Sequence, residues 1–182
     1  MDNSFHVRPA ELSDSEGIAR VHTCSWQSAY RGLLPDEWLD ALQWQDRKVR
    51  WDAILTTGPS GTQGRVHVAA NPHNEIVGFA SIGPSRDEDF DQDRVHELYA
   101  IYLAPEYWGK GIGTALFRAV MKEVPETAQR LEVWVLEENM RGRKFYEKQG
   151  FMLDGATKLA EIDGYQLEEV RYRIYMTRGQ EN

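Results

Sequence analysis

At 182 residues, 41% hydrophobic and 27% charged, the chain fits one globular domain over 1–182 with a core large enough to fold unaided. No run approaches the roughly 18 apolar residues that span a bilayer, and the opening MDNSFHVRPAELSDSEG lacks the basic start and apolar stretch of a signal peptide, so a cytoplasmic protein without a membrane partner is expected. A formal net charge of −8 argues against nucleic acid, Cys24 alone makes no internal disulfide, and His6, His22, His67, His73 and His96 show no metal-ligand spacing, so no metal is expected.

Along the chain the apolar period alternates between helix and strand. SFHVRPAE reads as a short strand. Ser13 or Asp14 offers an N-cap to a helix carrying Ile18, Val21, Trp26 and Tyr30 at helical spacing, which Gly32 ends. Pro35 marks the start of a second helix in LPDEWLDAL, and WQDRKVRWDAILTT presents Val49, Ile54 and Leu55 on a third that stops before GPSGTQG. The period then changes to two. RVHVAA and EIVGFASIG are strands joined as a hairpin by NPHN, PSRDEDFDQDR is a polar acidic loop, and VHELYAIYLAP is a further strand. A glycine stretch leads into a helix through Lys122; RLEVWVLEE is a strand, and NMRGRKFYEKQG is a short helix closed by Gly150. FMLDGATKLAEIDGYQLEEVRYRIYM makes two final strands about an Asp-Gly turn.

The glycine stretch carries the first chemical signal. Gly109, Lys110, Gly111, Ile112, Gly113 and Thr114 sit between a strand and a helix, where glycine lets the backbone take positive φ and approach a bound group. Backbone N–H groups there, the helix dipole, Lys110 and the Thr114 hydroxyl would together hold a phosphate. The spacing is not that of a P-loop. It is not the dinucleotide fingerprint either, because Thr114 stands where a third glycine is needed, and this argues against a nucleotide-dependent oxidoreductase.

With WGKGIG ahead of one helix and NMRGRKFYEKQGF across another, the chain resembles the GNAT superfamily of acyl-CoA N-acyltransferases over its whole length. That family opens a helix with Gln/Arg-x-x-Gly-x-Gly/Ala at the coenzyme A pyrophosphate and carries Asn-x-x-Ala-x-x-Phe/Leu-Tyr-x-x-x-Gly-Phe downstream. The resemblance implies an α/β (α+β) GNAT fold: a mixed central sheet of about six to seven strands flanked by helices, with a splayed pair of central strands. It also implies acetyl-CoA as cosubstrate and leaves room for a homodimer. Two positions depart from the pattern. Trp108 replaces the usual Arg or Gln, and Gly142 replaces Ala at a cost of roughly 1 kcal/mol to its helix.

Amide formation from a thioester needs a neutral amine, a stabilised oxyanion and a proton for the departing sulfur. Strict alternation in VHELYAIYL puts Glu97 in one row with Val95, Tyr99, Ile101 and Leu103, and puts His96 opposite. Glu97 is thus a carboxylate on an apolar row, which must find water, a partner or a shifted pKa; it is the candidate base, acting through a water or directly. Tyr146 follows Asn139 by seven residues, two turns along one helix face. The resemblance assigns Asn139 to the pantetheine arm, Tyr146 to protonation of the sulfur, and backbone N–H groups of Ile101, Tyr102 and Leu103 to the thioester. It places Trp26, Gln27 and Tyr30 over the acceptor, with the acidic loop Asp87 to Asp93 at the rim. Together with the net charge these features point to a small-molecule or peptide amine that is cationic; polyamine, amino acid, aminoglycoside, protein N-terminus and lysine all stay open. The alternative is an acyl-CoA-binding sensor or partner subunit that does not turn its ligand over.

Overall fold

The computed structural model describes residues 4–57, 65–87 and 93–176. Its chain divides into two compact units, Met1–Ile82 with Tyr99–Glu123, and Gly83–Leu98 with Val124–Asn182.

In the first unit, β1 (His6–Pro9) leads through a 3-10 turn at Leu12–Asp14 into α1 (Ser15–Ala29). The turn holds because Asp14 accepts from the Glu11 backbone N–H at 2.8 Å and from both terminal nitrogens of Arg8. Gly32, at φ 83°, ends that helical stretch, and Pro35 precedes α2 (Asp36–Ala41). In α3 (Trp44–Thr57), Ile54 and Leu55 pack on the core as expected, but Val49 is 72% exposed. Trp51 takes its place as the buried anchor, against Ile18, Val21 and Phe79. The segment GPSGTQG after α3 lies outside the described residues.

β2 (Arg65–Ala70) and β3 (Ile76–Pro84) form the antiparallel hairpin expected from NPHN. Asn71 Oδ1 accepts from the backbone of His73 and Glu75, and Asn74 takes the left-handed conformation that the turn needs. β1 pairs antiparallel with β2. The strand β4 (Val95–Leu103) ends in this unit, followed by α4 (Ile112–Met121), whose Ile112, Leu116, Phe117 and Val120 are buried.

The second unit contains β5 (Arg130–Leu136), α5 (Met140–Lys148), β6 (Met152–Ile162) and β7 (Tyr165–Tyr175). β7 pairs antiparallel with both β5 and β6. The turn between the last two strands is Asp163-Gly164, both at positive φ. The other Asp-Gly in this stretch lies within β6, where the register shifts between Leu153 and Thr157.

β4 runs parallel to β5 over three pairs, Val95–Arg130, His96–Leu131 and Glu97–Glu132, and then continues to Leu103 while β5 continues to Leu136. The strand order is β1-β2-β3-β4-β5-β7-β6, a mixed and mostly antiparallel sheet of seven strands. Among the described residues no helix is long and apolar enough to cross a membrane.

Candidate functional site

β4 ends at Leu103, a single 3-10 turn occupies Pro105–Tyr107, and α4 begins at Ile112. Between them Gly109 and Gly111 are left-handed, at φ 76° and 81°. A Cβ at either would meet nothing within 4 Å, so glycine is demanded there by conformation and not by crowding within the chain. Gly113 differs from the expectation: it lies buried inside the first turn of α4 and is not at positive φ.

Gly111 is the N-cap of α4 and has no side chain with which to cap that end. Its first-turn N–H groups therefore have no intrahelical partner and carry the positive end of the dipole, which fits a pyrophosphate. Thr114 stands in that first turn, and Lys110 Nζ lies 5.1 Å from the centre of the Tyr107 ring. Trp108 has a clear task. Its indole N–H donates to the Leu103 carbonyl at 3.0 Å, and the Ser25 hydroxyl donates to the same oxygen at 2.5 Å, so the loop is fastened to the end of β4 beside Ile101 and Tyr102.

Also in the first unit, the expected acceptor residues converge on β4. The hydroxyls of Tyr30 and Tyr102 are 3.2 Å apart, and Trp26 meets Tyr30 edge to face at 4.9 Å. Gln27 instead donates to the Leu39 carbonyl, joining α1 to α2. Two residues that sequence reading passed over complete the cluster. His22 stacks on Tyr102 at 5.1 Å, and the Arg47 guanidinium lies 4.5 Å from the Trp26 ring. Burial, followed by the charges of Arg47 and Arg50, holds His22 well below the ordinary value, and burial also lowers Arg47. The available signal was in α3: Trp44, Arg47 and Trp51 share a face at i, i+3 and i+7.

In the second unit, Glu97 is 1% exposed and has a partner, which corrects the picture of a lone carboxylate. The Arg86 backbone N–H and Nε donate to its Oε2 at 3.1 and 2.9 Å, and Arg86 Nη2 bonds Oε1. Arg86 itself is 62% exposed. In register beside Glu97, Glu132 is fully buried, accepts from Ser85 Oγ at 2.5 Å, and lies 3.4 Å from Arg130 Nη2 and 3.9 Å from Arg171 Nη1. Burial pushes the Glu132 carboxyl up, against the pull of Ser85 and the two arginines.

Asp87 was expected at a substrate rim. It is tied inward instead, accepting from Trp134 Nε1 at 3.2 Å and Arg171 Nη1 at 3.0 Å. Asp93 accepts from Thr127 through its backbone carbonyl. Residues 88–92 of that loop lie outside the described residues. His96 is buried, its pKa lowered by burial, and its Nδ1 has no hydrogen-bond partner among the described residues.

Tyr146 is 7% exposed on α5, with Phe145, Phe151 and Tyr172 around its ring. Asn139 does not share its helix face. It stands outside the helix as the N-cap, and its Oδ1 accepts from Gly142 N at 3.0 Å. This accounts for Gly142: an added Cβ would stand 2.8 Å from Asn139 Nδ2 and 3.2 Å from Val135 Cγ2.

Residues 19–151 match the Acetyltransferase (GNAT) family. The N-acetyltransferase YuaI of Bacillus subtilis (strain 168) is 34% identical over 134 residues, which cover 73% of this chain and 72% of that protein. The spermidine N(1)-acetyltransferase of Thermoplasma acidophilum is 25% identical over 156 residues, 83% of this chain and 90% of that protein. The PaiA N-acetyltransferase of Thermoplasma acidophilum, solved in complex with coenzyme A, has the same fold, with a TM-score of 0.71 at 22% identity over 95% of this chain and 99% of that one.

Proposed function

Because the chain belongs to the GNAT family and is an acetyl-CoA-dependent N-acetyltransferase, we propose that residues 1–182 act as one domain that acetylates a primary amine by direct attack in a ternary complex. Acetyl-CoA supplies an activated thioester. The chain supplies placement and proton movement. Backbone N–H groups from Gly109 to Thr114 bind the pyrophosphate, with Lys110 adding charge. Asn139, whose Oδ1 is committed to its cap, offers its amide nitrogen to the pantetheine arm. Backbone groups of Ile101, Tyr102 and Leu103 hold the thioester carbonyl and stabilise the charge that develops on its oxygen.

Glu97 takes the proton of the incoming ammonium, directly or through a water. The amine nitrogen then bonds the carbonyl carbon as the carbon–sulfur bond breaks, Tyr146 gives its proton to the departing sulfur, and the second amine proton leaves the nitrogen to restore Tyr146, giving a neutral amide and thiol while Glu97 returns its proton to solvent. Trp26 and Tyr30 shelter the acceptor. Glu97 reaches this role only if the acceptor's cation replaces Arg86, a cation held on an exposed side chain.

The observation that carries the reading is the pair of left-handed glycines ahead of an uncapped α4. Gly111→Asp puts a Cβ and a negative charge where the phosphate is read. Calorimetry should then show much weaker acetyl-CoA binding while far-UV dichroism is retained, and wild-type affinity in that variant would sink the site. Release of free thiol from acetyl-CoA across an amine panel identifies the acceptor class.

A further inference from the structure

We propose that the acceptor amine also carries an anionic oxygen group, a carboxylate of the α-amino-acid kind, and that Arg47, with His22 and Trp26, binds that group. The proposal rests on the acetyltransferase reading and names the substrate class of the same site.

The observation is a contact that the chain's own atoms leave in conflict. Trp51 Nε1 donates to His22 Nδ1 at 3.2 Å, and Arg47 Nη1 lies 3.1 Å from His22 Nε2. A neutral imidazole accepts at one nitrogen and donates at the other, whereas indole and guanidinium nitrogens only donate. Whichever tautomer His22 adopts, one of its nitrogens therefore points a proton at another donor. Protonating the ring makes this worse, and its depressed pKa keeps it neutral. Both contacts have hydrogen-bond geometry, and a proton on Nε2 would place the conflict opposite Arg47.

Among the described residues nothing relieves this. The charged or ionisable groups that bear on Arg47 are Tyr102, Arg50 and Tyr30, and none of them is a carboxylate. Trp26, whose ring face carries the guanidinium, has a buried Nε1 with no hydrogen-bond partner among the described residues. The cluster thus gathers a guanidinium, an imidazole N–H and an indole N–H without an anionic acceptor among the described residues. A buried donor without an acceptor is costly, and a desolvated guanidinium stacked on an aromatic face suits the planar fork of a carboxylate. An oxyanion bridging Arg47 and His22 converts the donor–donor contact into two charge-assisted hydrogen bonds.

The position suits an acceptor and not the coenzyme. His22 stacks on Tyr102, which also meets Tyr30, so the donors lie at the aromatic roof over the end of β4, while the phosphate-binding donors are those of the α4 start. The net charge of −8 gives no sign of this anion site, because that charge resides elsewhere on the chain.

The test compares each of a set of L-amino acids with the amine left when its carboxyl is removed, for example lysine with cadaverine. Initial rates of free-thiol release from acetyl-CoA are measured alongside tryptophan fluorescence during titration without acetyl-CoA. Expected is a kcat/KM advantage for one or more amino acids of about ten- to hundredfold, the worth of a charge-assisted hydrogen bond. In Arg47→Met that advantage should collapse toward one, through the acceptor KM and with little change in the KM for acetyl-CoA, and Arg47→Lys should restore part of it. Should Arg47→Met fail to fold, Arg47→Gln takes its place. Decarboxylated amines or polyamines that match every amino acid in the wild type, or an Arg47→Met loss that is equal for both members of a pair, overturn the proposal. If no amine is acetylated, the acetyltransferase reading fails separately. The titration still decides: a saturable fluorescence change with an amino acid and not its amine supports the anion site, and no response to either overturns it.

Discussion

On the proposed reading, the start of α4 and the buried end of β4 place charge for a ligand by opposite means. At α4 the charge comes from peptide dipoles and N–H groups oriented by Gly109 and Gly111, and no carboxylate takes part. Around Glu97 it comes from side chains: Arg86 clamps Glu97, and Ser85, Arg130 and Arg171 surround Glu132. A site built from backbone is present whenever the helix is folded and cannot be titrated away. A site built from ion pairs can exchange one partner for another, which a base that must receive a cationic amine requires.

Breaking the backbone-built site should have the larger effect. Gly111→Asp forces a non-glycine residue into φ 81° and points a carboxylate at the phosphate position. Acetyl-CoA affinity should fall by about a hundredfold or more, with both strain and like-charge repulsion contributing. Gly111→Asn separates the two contributions, since Asn tolerates the left-handed region and adds no charge; calorimetry should place it between wild type and Gly111→Asp. If the two variants bind alike, charge plays no part there.

The side-chain site is tested through kcat. Tyr146→Phe keeps the ring among Phe145, Phe151 and Tyr172 and removes one proton, so kcat should drop by about 10²-fold with the acetyl-CoA KM nearly constant. Glu97→Gln should lower kcat by a similar factor in steady-state assays. Arg86→Ala should lower the acceptor KM, because it removes the cation that competes for Glu97, and cost about 2 kcal/mol of stability by leaving a buried carboxylate without its partner. An acceptor KM that rises in Arg86→Ala would mean that Arg86 binds the acceptor and does not compete with it.

The same division sets what could be read from sequence. The β2–β3 hairpin, the Asp163-Gly164 turn and the left-handed Gly109 and Gly111 follow from local rules about φ, and they appear where those rules put them. Gly113 was over-read, because alternation with two left-handed glycines says nothing about its own φ. Partners set by the fold were not legible. Arg86 reaches Glu97 from across the loop between β3 and β4, and Arg47 meets His22 from 25 residues away on another helix. Val49 was read as core because it is apolar, while the buried face of α3 is fixed by Trp51. Asn139 was placed on a helix face by counting seven residues, which fails because α5 starts one residue after it.

Gly142→Ala is a smaller probe of how the two means meet, since there a side chain caps a helix. Propensity alone favours alanine by about 1 kcal/mol. Its Cβ would stand 2.8 Å from Asn139 Nδ2 and 3.1 Å from Asn139 Cγ, so the cap must move, at a cost of about 1 kcal/mol. Stability by urea titration should change little, while the acetyl-CoA KM rises several-fold because Asn139 is displaced. A gain in stability near 1 kcal/mol with unchanged KM would show that Asn139 shifts without consequence.

The effect that singles out His22, and that shows only on acidification, is on stability against pH. His22, His67 and His96 are all held below the ordinary value of 6.5, chiefly by burial. Each stays neutral in the folded chain while its unfolded counterpart takes up a proton as pH falls through 6.5, so stability is whole above 6.5 and is lost on acidification toward the folded values. Every such histidine adds up to about 1.4 kcal/mol per pH unit to that slope. His22→Gln keeps a group that can accept from Trp51 and donate toward Arg47, but cannot ionise. Its urea-derived stability should therefore fall less steeply than wild type between pH 6.5 and 5, with the curves parallel above pH 7. Curves that stay parallel down to pH 5 would show His22 to be protonated alike in the folded and unfolded chain. Saturating a wild-type sample with an accepted amino acid supplies the check on the anion site: an oxyanion between Arg47 and His22 favours the imidazolium, raises the folded His22 value and flattens the acid limb in the same direction as His22→Gln.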